Sequence, residues 1–282
     1  MKIITSIEGM KKWSHLTRSS KKTIGFVATM GCLHEGHLSL IKTSIAECDT
    51  TVVSIFVNPT QFSPDEDFNS YPRSIESDKK ILQTTGIDVL FNPKQEDLYP
   101  EKFQTFVTVE DKTNYLCGTN RSGFFRGVTT IVLKLFNIAN PNIAYFGEKD
   151  WQQLEVVRTM VRDLNMGISI VGKPIVRDQD GLAISSRNWY LSKEDRSSAL
   201  SLSQALESAQ ALVIKGERSA ENIRIEIRKI IEQKQGTEVD YISVCDPESF
   251  AEQTEIHSKV LVALAVRIGN TRLIDNRIMG KA

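Results

Sequence analysis

The chain has no excess of either charge: its 35 basic residues are matched by 35 acidic ones, and the sequence pI is near 6.9. Proteins that bind nucleic acid or anionic membranes through a broad basic surface carry a clear positive excess. We therefore expect neither a nucleic acid nor a membrane as partner. Cysteine is also scarce, and the four thiols form no CxxC pair, so a disulfide-stabilised secreted fold is not indicated. They are Cys32, Cys48, Cys117 and Cys245.

Long apolar runs are absent as well. No stretch approaches the roughly 20 apolar residues that span a bilayer, and Met1–Glu8 lacks the apolar core of a signal peptide. We therefore expect a cytoplasmic protein. The 282 residues, 40% hydrophobic and 25% charged, can bury a substantial core and favour two domains.

Two common nucleotide-binding motifs are missing. The sequence contains neither Gly-x4-Gly-Lys-Ser/Thr nor Gly-x-Gly-x-x-Gly, so P-loop and dinucleotide folds lose support. Instead, strands and helices alternate up to about residue 171, which is typical of an α/β fold with a Rossmann-like doubly wound parallel sheet. The predicted strands are 24–28, 51–57, 89–91, 143–146 and 168–171, and the predicted helices are 8–20, 74–85, 151–164 and two that begin near residues 36 and 126.

Past about residue 176 the pattern changes. Helices at 193–215 and 219–234 are followed by strands at 239–244, 259–266 and 271–275, which predicts a smaller α+β domain with an antiparallel sheet. We expect domains at 1–175 and 176–282, the second closing over the site of the first. Residues 92–125 are less regular and predict a lid or excursion, with an alternating strand at 105–109.

The most informative stretch is Thr29–Leu40, which contains two of the four histidines, His34 and His37. A strand that leads through a glycine-containing turn into a helix presents free backbone N–H groups and the positive end of a helix dipole, which suits a phosphate. The two imidazoles, three residues apart, are expected on one side of this turn. Gly36 between them is expected to let a ligand approach the backbone closely.

Three interpretations of the histidine pair stay open at this point. Zinc ligation lacks companions, because His15 and His257 are distant in the sequence and no cysteine pair lies nearby. His34 alone could simply cap or pack at the helix start. Phosphate chemistry fits best, because an imidazolium at a helix N-terminus can donate to a phosphoryl oxygen as charge builds there.

Other candidates follow the ends of predicted strands. Gln61 comes directly after strand 51–57, at the sheet edge where ligands bind, but a turn residue that faces water explains it equally well. Lys149 follows strand 143–146 and would extend its amine over the same edge. Asp150 and Gln153 fit a capping box as well as they fit ligand contacts.

Segment 180–188 forms a turn and a polar stretch near the predicted domain junction. Ser185, Ser186 and Arg187 suit a polyphosphate, since arginine can bind two oxygens at once and hydroxyls donate. The alternative is a serine cap before Trp189, with Arg187 in a surface ion pair.

Taken together, these strings resemble the pantothenate synthetase (pantoate–β-alanine ligase) family, and His-x-Gly-His resembles the nucleotide-binding motif of the nucleotidylyltransferase superfamily. The similarity covers essentially the whole chain. It runs through Thr29–His37, Ser54–Phe62, Tyr71–Arg73, Arg126–Val128, Phe146–Asp150, Gln152–Leu154, Asp180–Asn188 and Arg272–Asn276.

The resemblance implies an ATP-dependent condensation of pantoate with β-alanine through a pantoyl adenylate, yielding pantothenate, AMP and pyrophosphate. It implies that His37, as proton donor, acts with His34 and Lys149 on charge at the α-phosphate. Gln61 and Gln153 would bind pantoate, with Gln61 also near β-alanine. The implied ATP site comprises Met30, Gly31, Cys32, Leu33, His34, Glu35, Gly36, His37, Gly147, Glu148, Lys149, Asp150, Val176, Ile184, Ser185, Ser186 and Arg187.

The resemblance further implies ATP as a substrate, Mg2+ carried with the nucleotide, no metal ligand assigned in the protein, and a homodimer through the N-terminal domain. Cys117 and Phe124 depart from the family pattern, which has a glutamate and a histidine there. For this reason no role is assigned to residues 115–125, and Arg121 and Arg126 are noted only as polar side chains near the site. The rival functions are nucleotidyl transfer to a phosphorylated acceptor and non-catalytic nucleotide binding.

Overall fold

The computed structural model describes residues 1–64 and 66–280, which fall into two compact units. The first contains 1–113, 120–148 and 152–174, and the second contains 114–119, 149–151 and the chain from 175 onwards. Segments 114–119 and 149–151, predicted within the first domain, therefore group with the second unit. The domain boundary between 175 and 176 stays a prediction.

A six-stranded parallel sheet forms the centre of the first unit. The spatial order is β1-β4-β3-β2-β5-β6, so the chain moves outward from β2 through β3 and β4 and later adds β5 and β6 on the other side. This reversal creates a crevice between the carboxyl ends of β2 and β5, where open α/β sheets bind ligands. The strands are β1 Lys2–Ile4, β2 Ile24–Thr29, β3 Thr50–Ile55, β4 Val89–Phe91, β5 Ile143–Gly147 and β6 Ser169–Lys173.

Helices cover both faces of this sheet. Apolar residues of α1 (Ile7–Ser19), α6 (Phe124–Ala139) and α7 (Trp151–Asp163) form a core on one face. Those of α2 (Glu35–Glu47) and α3 (Ile75–Gln83) form a core on the other. Because both faces are covered, all six residues of β3 are buried. Two short helices, α4 (Gln95–Leu98) and α5 (Cys117–Asn120), lie in the connections.

The second unit has two long helices and a three-stranded antiparallel sheet in the order β7-β8-β9. Ser192 and Ser219 cap the two helices, accepting hydrogen bonds from the N–H groups of Asp195 and Asn222. The elements are α8 Lys193–Ile214, α9 Ala220–Glu232, β7 Thr237–Cys245, β8 Val260–Ile268 and β9 Thr271–Met279. The predicted fold class, a parallel α/β sheet with a smaller C-terminal α+β part, is confirmed.

Two local features differ from the sequence analysis. β1 was not predicted, because three residues show no periodicity and the strand depends on pairing with β4, Lys2 opposite Val89. The predicted strand at 105–109 is wrong. There, the N–H of Val107 donates to the Thr130 hydroxyl at 3.0 Å and its carbonyl accepts from the Thr129 hydroxyl at 2.6 Å. The segment thus bonds to side chains of α6 instead of to a neighbouring strand.

No helix in residues 1–64 and 66–280 combines the length and the apolar composition needed to cross a membrane.

Candidate functional site

The turn between β2 and α2 is held by a buried carboxylate from α3. Asp78, 2% exposed, accepts the N–H of Cys32 at 2.9 Å and that of Leu33 at 2.8 Å. Gly31 has φ +84°, and a Cβ there would lie 2.9 Å from a carboxylate oxygen of Asp78, so the turn requires glycine. Two backbone N–H groups of the turn, which the sequence pattern predicted to be open to an anion, are therefore already bonded. Burial raises the pKa of the Cys32 thiol, and Asp78 raises it further.

The two imidazoles lie against each other at the start of α2. The ring centroids of His34 and His37 are 4.0 Å apart, with the ring planes inclined by 27°. His34 is the N-cap residue, but its side chain makes no capping hydrogen bond, so the capping interpretation is not supported. Both rings are thus placed at the positive end of the α2 dipole.

Gly36 lies directly beside the ring of His34. A Cβ at Gly36 would lie 3.0 Å from both Cε1 and Nδ1 of His34, so the histidine ring itself occupies the space beside the glycine. An added methyl group would fit only if the His34 ring moved by a few tenths of an ångström, so the stacked position of His34 favours glycine. The expected close approach of a ligand to the backbone at Gly36 stays a prediction.

The zinc interpretation finds no support. Within the part of the chain that the structure describes, no three His, Cys, Asp or Glu side chains are grouped so as to hold a metal ion. Structural zinc needs four protein ligands, and catalytic zinc usually has three.

Gln61 lies inside the first unit, at the end of β3. It is 9% exposed and belongs to the 3-10 turn Pro59–Gln61. Its Nε2 lies 3.3 Å from the sulfur of Met30, and its Oε1 accepts from Nδ2 of Asn58 at 2.9 Å. The interpretation as a turn residue facing water is therefore wrong. The carboxyl ends of β2 and β3 bring Gln61 and Met30, two predicted site residues, into contact.

Asn58 positions the Gln61 turn and was missed by the sequence analysis. Its Oδ1 accepts from the hydroxyls of Thr60 and Tyr99, both at 2.9 Å, and its Nδ2 donates to the carbonyl of Gly127 at 3.1 Å. A Cβ at Gly127 would overlap the Thr60 carbonyl and lie 2.7 Å from the N atom of Gln61. The turn and α6 can approach this closely only because residue 127 is glycine. An asparagine directly after a buried strand was the available sequence signal.

This close approach gives a testable prediction. Gly127→Ala should lower the free energy of unfolding by about 1–3 kcal/mol, because the added methyl overpacks a rigid backbone contact. Gly147→Ala is the matched control: a Cβ there meets no heavy atom within 4 Å, so stability should change by less than about 0.5 kcal/mol. Urea denaturation measures both. A Gly127→Ala protein as stable as the parent would contradict the described contact.

A cavity of about 120 Å³ adjoins Gln61. Two arginines line it. Arg121 is bonded to Glu66 through Nε at 2.6 Å and Nη2 at 2.8 Å. Arg126 lies 3.7 Å over the ring of Phe106 and has no carboxylate partner among the described residues. Of the two guanidinium groups, that of Arg126 is therefore the one available to a small anion.

The end of β5 borders the same crevice as the end of β2. Gly147 closes the strand, and the 3-10 turn Glu148–Asp150 leads into α7. Gln153 lies in the first turn of α7 and is half-buried. Open space beside Gly147 means that packing does not explain the glycine. For Asp150 and Gln153, the choice between capping and ligand contact stays open.

In the second unit, residues 176–184 form a hairpin-like loop. The N–H of Ile184 donates to the carbonyl of Val176 at 3.0 Å, which places these two predicted ATP residues side by side. Arg177 closes the loop by donating to the Gly181 carbonyl at 3.1 Å. It also forms two hydrogen bonds, at 2.6 and 2.8 Å, with Asp275, which is 2% exposed on β9.

The next residue of β9 holds Lys149. Nδ2 of Asn276 donates to the Lys149 carbonyl at 2.9 Å, and Asn276 is 6% exposed. Adjacent residues of one strand, Asp275 and Asn276, thus fix both the Lys149 backbone and the loop before Ser185. Both residues belong to a stretch that resembles the family, but the sequence pattern predicted no role for either.

Ser185 begins the 3-10 turn Ser186–Tyr190, and its hydroxyl accepts the N–H of Arg187 at 3.3 Å. The serine-cap interpretation is therefore confirmed for Ser185. This hydrogen bond uses one lone pair of the hydroxyl and leaves its proton able to donate. Ser186 is 8% exposed, whereas the Trp189 side chain is largely exposed.

Arginine side chains lie next to Cys117 and Phe124, the two residues that depart from the family pattern. Both terminal nitrogens of Arg272 lie 3.6 Å from the Cys117 sulfur, and Nε of Arg272 bonds to Asp240 at 2.7 Å. A glutamate at position 117 would offer that guanidinium a second carboxylate. Phe124 begins α6, and the guanidinium of Arg121 lies 3.6 Å over its ring.

Comparisons with known proteins identify the family. The family model for pantoate-beta-alanine ligase matches residues 2–278. The pantothenate synthetase of Thermotoga petrophila is 52% identical over 280 residues, 99% of this chain and 100% of that protein. That of Geobacter sulfurreducens is 50% identical over 281 residues, 100% and 99% of the two chains.

Two solved structures are also similar. The pantothenate synthetase of Thermus thermophilus has a TM-score of 0.92 at 40% identity, covering 98% of this chain and 99% of that one. The pantoate-beta-alanine ligase of Francisella tularensis, solved in complex with beta-gamma ATP and beta-alanine, has a TM-score of 0.80 at 34% identity, with coverages of 99% and 97%. On sequence and on structure alike, this chain belongs to the pantoate–β-alanine ligase family.

Proposed function

We propose that this chain condenses pantoate with β-alanine in an ATP-dependent reaction that releases pantothenate, AMP and pyrophosphate. The observations that support this most strongly are two contacts beyond the carboxyl ends of β2 and β3: the stacked rings of His34 and His37, and the contact of Gln61 with Met30. The family match from residue 2 to residue 278 includes all four positions. Ligase activity, ATP binding and a place in pantothenate biosynthesis follow from this assignment.

The first proposed step is adenylation of pantoate. A carboxylate oxygen attacks the α-phosphorus of ATP, a new P–O bond forms, and the bond to the β-phosphate oxygen breaks. Negative charge grows on the α-phosphoryl oxygens and on the departing pyrophosphate, so fixed hydrogen-bond donors lower the barrier. His37 is the proposed donor, and stacking against His34 restricts its ring before the reaction begins.

The second proposed step forms the amide. The amine of β-alanine attacks the acyl carbon of the adenylate, the C–O bond to AMP breaks, and the attacking nitrogen loses a proton. Adenylation is needed because a free carboxylate has no good leaving group, whereas AMP is one. The cavity next to Gln61 is of a size for a small amino acid. We assign Arg126 to the β-alanine carboxylate, since guanidinium binds carboxylate through two parallel hydrogen bonds.

Further ATP contacts are proposed in the second unit. Lys149 and Arg187 carry the cations suited to phosphate oxygens, and Ser185 and Ser186 carry hydroxyl donors. The hydrogen bonds from β9 that fix Lys149 and the loop before Ser185 support this assignment, because a charge held in place stabilises a transition state better than a mobile one. Gln153 is proposed to bind pantoate. The remaining predicted ATP residues, Glu35, Glu148 and Asp150 among them, stay predictions.

Three properties are proposed on the resemblance alone. Mg2+ is proposed to enter with the triphosphate, where it would neutralise phosphate charge. A homodimer is proposed through the N-terminal domain, and sedimentation velocity would test it against the monomer mass of 31.7 kDa. The cytoplasm is the proposed location.

The decisive experiment is ATP–pyrophosphate exchange. We expect exchange of labelled pyrophosphate into ATP that requires pantoate and proceeds without β-alanine. Addition of β-alanine should then yield pantothenate and free AMP, detected by mass spectrometry. Exchange without any acid, or none with pantoate, would contradict the proposed function. A product that retains AMP would indicate the rival nucleotidyl transfer.

A further inference from the structure

A second pocket lies between α1 and α6, at the edge of the parallel sheet opposite to the candidate site. α1 ends at Ser19, shortly before β2 begins at Ile24, and α6 ends at Ala139, shortly before β5 begins at Ile143. The C-terminal ends of both helices are therefore near the amino ends of these strands, whereas the proposed catalytic groups follow the carboxyl ends. The pocket measures about 450 Å³, within the roughly 300–1,000 Å³ of small-molecule sites.

The lining of this pocket is basic. Lys11, His15 and Arg18 line it from α1, and their spacing of four and three residues places them on one helix face. No aspartate or glutamate of the described residues is among the lining residues. Arg18 donates to the carbonyl of Asn140 at the end of α6 at 3.1 Å. The side chains of Lys11 and His15 have no hydrogen-bond or ion-pair partner in the described chain, so their donors remain available.

Ser14 provides an independent observation in the same pocket. It is 1% exposed, lines the pocket, and its hydroxyl oxygen is buried without a hydrogen-bond partner among the described residues. A serine in the middle of a helix commonly bonds back to a carbonyl one turn earlier, and a buried hydroxyl without a partner is unfavourable. The oxygen has less than 1 Å² of accessible surface, so it meets a ligand oxygen only when the Ser14 side chain rotates toward the pocket.

We propose that this pocket binds a small phosphate-bearing molecule. Arg18 and Lys11 provide charge-assisted hydrogen bonds to the phosphate, and the Ser14 hydroxyl donates to one of its oxygens. Asn137, which lines the opposite wall on α6, contributes an amide that can bond either the phosphate or its organic part. Two permanent cations and an imidazole with no carboxylate among them favour an anion, and their charge has to outweigh the negative C-terminal ends of α1 and α6, which lie at this pocket. The volume leaves room for an organic group of the size of a sugar.

The test is a titration with two probes, inorganic phosphate and a hexose monophosphate, followed by 1H–15N NMR of the full chain in phosphate-free buffer. We expect the ligand to change the chemical shifts of backbone amide signals in the C-terminal half of α1 and at the end of α6. The double variant Lys11→Gln/Arg18→Gln should weaken binding by at least about tenfold. The matched control is Lys12→Gln/Lys22→Gln, which removes the same charge from residues outside the lining and should change the affinity by less than about twofold.

Ser14→Ala separates a ligand role from a structural one. Because the hydroxyl has no partner within the described chain, its removal should leave the melting temperature unchanged or raised, while the phosphate affinity falls by at least about threefold. Pantoate-dependent exchange should be unaffected in all these variants, so a failure of the catalytic proposal would be seen separately. Shifts confined to the start of α2, equal affinities of the two double variants, or an unchanged affinity of Ser14→Ala would each overturn the proposal.

Discussion

His37→Ala is expected to lower the rate of pantoate-dependent ATP–pyrophosphate exchange by at least about a hundredfold, the range seen when a fixed donor to a developing charge is removed. The alanine cannot donate to the α-phosphate, and water would have to reorganise to replace the imidazole. Lys149→Ala should have an effect of similar size, because the proposed contact of its ammonium also strengthens as charge builds. Both rates are measured with saturating pantoate and ATP.

The chain offers a matched histidine control. His257 has an exposed side chain and pairs with Glu255 at 3.2 Å, so His257→Ala should leave exchange near the parent rate. Circular dichroism must show that His37→Ala remains folded. A folded His37→Ala or Lys149→Ala protein with near-normal exchange would remove that residue from the proposed mechanism.

Asp78→Ala should produce the second large effect, both on stability and on catalysis. The carboxylate bonds the N–H groups of Cys32 and Leu33, and hydrogen bonds to a charged group contribute about 1.5–3 kcal/mol each. We expect the free energy of unfolding to fall by about 2–4 kcal/mol, since two half-buried N–H groups lose their acceptor. We also expect exchange to fall at least about tenfold, because the turn that carries His34 is no longer fixed.

Asp78→Asn refines this prediction. One carboxylate oxygen becomes an amide group that cannot accept from a backbone N–H, so one of the two bonds is lost and the stability loss should be about half that of alanine. Glu76→Gln on the same helix is the control, because its side chain is 77% exposed and forms a surface ion pair with Lys79. Its stability should change by less than about 0.5 kcal/mol. Asp78→Ala with parent stability and rate would show that the turn does not depend on this carboxylate.

Much of the fold was predictable because its signals are local. Alternating apolar runs and helical periodicity predicted five of the six parallel strands, and the serines before α8 and α9 lie where caps are expected. Each of these patterns depends on a few neighbouring residues, so it can be recognised in the sequence without knowledge of the fold. The position of His34 and His37 after a strand likewise follows from the local order of strand, turn and helix.

What the sequence by itself determined is therefore the class of fold, the order of its elements, the family and the residue types that carry the chemistry. The tertiary structure decided which residues become partners. Asp78 accepts from the N–H groups of a turn that lies 46 and 45 positions earlier in the chain, and Asn58 donates to the carbonyl of Gly127, 69 positions away. Gln61 is buried against Met30. It also decided that the segment at 105–109 bonds to α6 instead of forming a strand. The physical reason is that hydrogen-bond partners at such separations are chosen by the packing of strands and helices. No local propensity or periodicity encodes them.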